Sequence, residues 1–136
     1  MQLNKIMNTF ALEKLEGVEG KQRFDKLVVD GVAPFDVFEQ NVAATYSSEL
    51  IGIYAVMNDV ANLKSVPYNK FHPYSDGTDG LREYEFKSKH LRVYAVEQVG
   101  GKIIVIGGTK ATQKKDESEF RRLKHLIINK LKTEKQ

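Results

Sequence analysis

The side chains able to do chemistry fall into three groups: scattered histidines, a charged β-hairpin, and a lysine-rich stretch near the C-terminus. His72, His90 and His125 have no HxxxH or HExxH spacing and there is no cysteine, so neither a zinc site nor thiolate chemistry is expected, and no cofactor is implied. His90, in a hairpin loop, is a candidate acid or base by residue type. His72 lies in the loop Phe71-His72-Pro73-Tyr74 with no evident partner. Lys110, Lys114 and Lys115 crowd one short stretch. They belong to a lopsided charge distribution: residues 1–79 carry a net −4 and residues 80–136 a net +7. Such asymmetry points the C-terminal half at something anionic, or else marks a solvated basic helix.

The elements that position these groups follow from the pattern. At 136 residues, 41% apolar and with seven Phe and six Tyr, the chain has the size and the material for one domain with a proper core. No apolar run approaches the ~20 residues that cross a bilayer. The first ten residues lack a signal peptide's apolar region, so the cytoplasm is the expected home. Residues 1–20 form an extension in which Phe10, Leu12 and Leu15 fit a short helix, and residues 21–136 form the single domain. Arg23–Val29 is rich in β-formers and closed by Asp30-Gly31, the pattern of a strand. Pro34 starts a helix to about Ala44, and Ser47 or Ser48 caps a second to about Leu63. A loop with Pro67, Pro73, Gly77 and Gly80 leads to three strands: Leu81–Phe86, Leu91–Gln98 and Lys102–Ile106. Gly100-Gly101 makes the second turn. Asp116 and Glu119 have capping-box spacing at the start of a last helix, with Phe120, Leu123, Ile127 and Leu131 as its buried stripe.

The expected class is thus α+β, with an N-terminal strand, two helices, a three-stranded antiparallel meander and a C-terminal helix. Phe38, Tyr54, Met57, Tyr84, Phe86, Val93, Ile104, Leu123 and Ile127 should share one buried cluster. If the hairpin loop is Lys87–His90, Phe86 pairs with Leu91, Glu85 with Arg92 and Glu83 with Tyr94. Alternation then puts Glu83, Glu85, Arg92 and Tyr94 on the face away from the core. There Glu85 and Arg92 can also form a plain cross-strand ion pair worth ~0.2–1 kcal/mol.

The segments Leu81-Arg82-Glu83-Tyr84-Glu85-Phe86, Leu91-Arg92-Val93-Tyr94 and Ile106-Gly107-Gly108-Thr109-Lys110-Ala111-Thr112-Gln113-Lys114-Lys115, in this order, resemble the RelE/ParE/HigB toxin superfamily over residues 22–132. The resemblance implies the toxin of a type II toxin–antitoxin system, held inactive by an antitoxin, here expected to be a helix-turn-helix protein. HigB- and RelE-like members cut mRNA on the ribosome without metal, whereas ParE-like members poison gyrase, so fold alone does not settle the activity. Metal-free cleavage needs a base for the 2′-OH, cations for the charge building on phosphorus, and an acid for the leaving 5′-oxygen. Arg92 matches the family's strand arginine, and its planar fork suits a phosphate. Glu85 becomes the candidate base, Tyr94 a base-stacking ring or proton donor, and His90 a second acid–base candidate. Lys110, Lys114, Lys115 and Arg122 become the RNA-binding set. Glu83 and Glu85 depart from the pattern, since many nuclease members carry Lys or Arg there. They favour a second reading, a non-catalytic binding module, and gyrase inhibition remains a third.

Overall fold

The computed structural model describes residues 9–75 and 78–134. Residues 1–8 of the expected extension and Gly77 of the expected loop lie outside the described residues. Strands β1 (Phe10–Lys14) and β2 (Arg23–Val29) precede helix α1 (Pro34–Ala61). Strands β3 (Phe71–Ser75), β4 (Glu83–Lys87), β5 (Leu91–Gln98) and β6 (Gly101–Thr109) follow, and a 3-10 turn at Lys110–Thr112 leads into α2 (Gln113–Glu134).

The strands form one six-stranded mixed sheet in the order β1-β2-β6-β5-β4-β3. All neighbours are antiparallel except β2 and β6. This corrects the expected three-stranded meander: β3 adds a fourth strand to it, and the hairpin β1–β2 joins the far side. Phe10 and Leu12, assigned to a short helix from their spacing, lie on β1 opposite Val29 and Leu27. The two expected helices are one 28-residue helix with a kink at Tyr46 (φ −124°, ψ 32°).

The core is also divided. On one face Phe35, Phe38, Val42, Ile53 and Met57 of α1 pack on Phe24, Phe86, Val93, Ala95 and Ile104. On the other, Phe120, Leu123 and Ile127 of α2 pack on Leu27, Tyr94, Val96, Ile103 and Val105. The cluster expected to hold Phe38 together with Leu123 and Ile127 is therefore two clusters separated by the sheet. The face expected to be free is roofed by a helix. Leu131, expected on the buried stripe, is 41% exposed.

The close fit of helices to sheet needs two glycines at the end of β6. A Cβ on Gly107 would strike the Phe38 ring, and one on Gly108 would strike the Asp116 carboxylate. Asp116 is not the helix start. The helix begins at Gln113, behind a Thr109–Thr112 capping box, and Asp116 accepts a 2.5 Å hydrogen bond from Thr112 Oγ1.

Helix α1 ends in a Schellman motif, with Leu63 N–H donating to Val60 and Lys64 N–H to Asp59. Leu63 takes the left-handed conformation (φ 62°) with its side chain exposed. A branched side chain there costs roughly 1 kcal/mol, so Leu63→Gly should stabilise the chain by up to about 1 kcal/mol in urea denaturation.

Candidate functional site

The hairpin β4–β5 places the site residues. Its strands pair Glu83 with Val96, Glu85 with Tyr94, Phe86 with Val93 and Lys87 with Arg92. The pairing is shifted by two residues from the expected one, so Glu85 does not face Arg92. Because side chains alternate with period two, the shift leaves every residue on its expected face. The turn is tighter than the four-residue loop expected: Ser88 N–H already donates to the Leu91 carbonyl.

Glu49 of α1 fixes this turn. Its carboxylate accepts from the Ser88 hydroxyl, from His90 N–H at 2.8 Å and from His90 Nδ1 at 2.6 Å. Tyr46 stacks on the His90 ring at 4.9 Å. Burial alone would raise the Glu49 carboxyl, but the Ser88 and His90 donors outweigh it and hold it at about 2. A depressed carboxyl contributes stability above its unfolded value, near 4.5, and loses it as pH falls towards 2. Glu49→Gln should therefore cost about 1–3 kcal/mol at neutral pH and flatten the loss of stability between about pH 4.5 and 2, read by urea denaturation across pH. His90 is thus tied to α1, on the opposite side of the sheet from Arg92 and Tyr94.

Under α2, the register creates a row across the sheet: His72 on β3, Glu85 on β4 and Tyr94 on β5. His72 Nε2 stands 3.0 Å from Glu85 Oε1. Glu85 Oε2 and the Tyr94 hydroxyl are buried with no hydrogen-bond partner among the described residues. Burial pushes the Tyr94 hydroxyl up, and the charges of Glu85 and Asp116 add to this, so it stays protonated. Phe120 stacks on the Tyr94 ring at 5.2 Å. Two residues along each strand, Lys87 and Arg92 form the next row, with Arg92 opposite Gly108 of β6 and both half-buried.

Glu85, expected to pair with Arg92, and Glu83 are both engaged elsewhere. Glu83 receives Lys124 Nζ at 2.9 Å, and Glu85 has His72. Arg92 Nη1 donates to the Ser88 and Leu91 carbonyls at 2.7 and 2.9 Å and forms no ion pair among the described residues. Beyond it, Lys110 N–H donates to the His90 carbonyl, which joins the hairpin turn to the β6–α2 junction. Lys110, Lys114 and Lys115 are exposed at that junction, line one shallow hollow with Gln113 and Glu117, and form no ion pair among the described residues. Arg122 stands apart, two turns along α2, where both ends of its guanidinium bond to Glu119 at 2.6 and 2.8 Å.

The structure therefore puts Glu85, Arg92 and Tyr94 on one face of the sheet and the three lysines at the β6–α2 junction, while the His90 ring is bonded on the α1 side and Arg122 lies further along α2. His72 was missed because β3 was read as loop. Among the described residues no group of three or more His, Cys, Asp or Glu side chains stands close enough together to hold a metal ion. No helix of the described residues is long and apolar enough to cross a membrane. No known protein family, curated protein or solved structure matches this chain.

Proposed function

We propose that the chain acts on RNA as a toxin-like, metal-independent endoribonuclease that cuts mRNA on the ribosome and is restrained by an antitoxin. A relationship to the RelE/ParE/HigB toxins belongs to this proposal and rests on the sequence segments named above. The observation that carries the reading is Arg92, half-buried and in no ion pair among the described residues, on the same face of the sheet as Glu85 and Tyr94. Glu85 and Tyr94 are buried, and each keeps one oxygen with no hydrogen-bond partner among the described residues, while Lys110, Lys114 and Lys115 are exposed just past the β6 end that lies opposite Arg92.

In this reading Glu85 Oε2 takes the proton of the 2′-OH as the 2′-oxygen bonds to phosphorus. The bond from phosphorus to the 5′-oxygen breaks, and that oxygen takes the Tyr94 hydroxyl proton. Glu85 then returns its proton to Tyr94, its cross-strand partner. The products are a 2′,3′-cyclic phosphate and a 5′-hydroxyl, with the protein unchanged. Arg92 supplies the fork of donors for the charge building on the phosphoryl oxygens. The lysines hold the backbone on either side.

A second reading, a non-catalytic RNA- or antitoxin-binding module, is favoured by one observation: Tyr94 is fully buried and Glu85 nearly so, beneath the first turns of α2. Induced expression separates the two. The nuclease reading expects growth arrest with shortened mRNA, reversed by the antitoxin. Unimpaired growth with intact mRNA in the absence of any antitoxin contradicts it and leaves the binding module.

A further inference from the structure

We infer that His72 is the positioning residue of the acid–base pair, holding Glu85 by one carboxylate oxygen so that the other stays free to take a proton. The inference rests on the RNA-cleaving reading above. His72 sits on the edge strand β3, directly opposite Glu85. Its Nδ1 is 3.0 Å from the Tyr68 carbonyl. A carbonyl only accepts, so Nδ1 carries a hydrogen. Its Nε2 then faces Glu85 Oε1 at 3.0 Å, where two bare lone pairs would repel. One proton must lie between them, and imidazolium against carboxylate is the arrangement that keeps Glu85 negative and able to act as a base.

The imidazole is held on further sides. The Tyr68 ring stacks on it with centroids 4.8 Å apart and planes 19° from parallel. Its side chain is 12% exposed and that of Glu85 5%, so little solvent competes for the contact. The charged and titratable groups facing the pair are Glu83 on β4, Arg92 and Tyr94 on β5, and Glu117 and Arg121 on α2. Glu117 accepts from the Tyr74 hydroxyl, Arg121 lies over the Tyr74 ring at 5.7 Å, and Glu83 is bound to Lys124. Apart from Tyr94, whose hydroxyl has no hydrogen-bond partner, each of those groups has a partner of its own, and among the described residues His72 is the one bonded to Glu85. His90, the histidine suggested by sequence, cannot serve, since its ring is bonded to Glu49 on the α1 side.

The test uses the full chain, a defined RNA, and kcat and KM measured from about pH 5 to 9. His72→Ala should lower kcat roughly 100-fold, the low end of what positioned proton transfer contributes, with little change in KM. His72→Gln, whose amide N–H still donates to Glu85 Oε1, should keep most of the activity. A His72→Ala protein with wild-type kcat and pH profile overturns the inference. The RNA-cleaving reading survives that result if Arg92→Ala abolishes cleavage. A wild-type protein that does not cleave overturns both.

Discussion

Lys124→Ala should destabilise the folded chain by about 3–5 kcal/mol, the range for removing one partner of a buried ion pair. The ammonium is 1% exposed and lies 2.9 Å from Glu83 Oε2 and 2.6 Å from Asp79 Oδ1. Glu83 is itself 3% exposed, and its other oxygen has no hydrogen-bond partner among the described residues. Arg121 is 3.9 Å away and half-exposed, too distant and too wet to replace the lysine. Without Lys124 a carboxylate stays charged beneath α2 or must take up a proton. Asp79, held below the usual carboxylate range by its hydrogen bond from Lys124, would return towards that range. Because its carboxyl is depressed in the folded chain, the stability it lends is present above its unfolded value and fades as pH falls through the folded one. The partner substitution makes the cause visible. Adding Glu83→Gln to Lys124→Ala should recover much of the loss, because the stranded charge is gone. A Lys124→Met, Glu83→Leu pair should come out neutral or more stable. Urea denaturation of the three variants gives the comparison. A Lys124→Ala loss below 1 kcal/mol would mean that the pair is hydrated and α2 loosely seated.

The second large effect concerns chemistry rather than stability. Arg92→Ala should leave the fold intact and lower RNA cleavage ~10²–10³-fold, the scale for losing one transition-state donor. Its Cα is opposite Lys87 and Gly108, and among the described residues its guanidinium bonds only to backbone carbonyls of the turn. The structural cost of removing it is therefore about 1 kcal/mol of hydrogen bonding. Lys114→Ala should behave differently, weakening RNA binding and flattening its salt dependence while kcat stays near wild type. Equal effects of the two substitutions on binding alone would make Arg92 one phosphate anchor among several. Cleavage assayed alongside filter binding at two salt concentrations distinguishes the outcomes.

Single strands could be read along the chain, but their assembly into a six-stranded mixed sheet could not. The strand Arg23–Val29 and the pair Leu91–Gln98 and Gly101–Thr109 announce themselves through β-branched residues and glycine turns. The strand Phe71–Ser75 hides because Pro73 argues against any strand. A proline is tolerated at a sheet edge, and Pro73 is exposed on the outermost strand. Losing that strand meant losing His72 as the partner of Glu85. The faces of Glu83, Glu85, Arg92 and Tyr94 followed from alternation alone, whereas their register did not. Glu49, some forty residues away in sequence, clamps Ser88 and His90 and sets where the hairpin turns. A polar sheet face also reads as open to solvent. Here Lys124 and His72 bond to the carboxylates, so a helix can cover them.

If the proposed function is right, RNA is cut at a site where Arg92 meets the phosphate. The most direct measurement maps mRNA 5′ ends by primer extension in a translating extract, with wild-type and Arg92→Ala protein at equal concentration. Discrete new ends bearing a 5′-hydroxyl are expected with the wild type, and roughly 100-fold fewer with the variant. Intact mRNA with the wild-type protein, or the same ends at the same rate with Arg92→Ala, would contradict it.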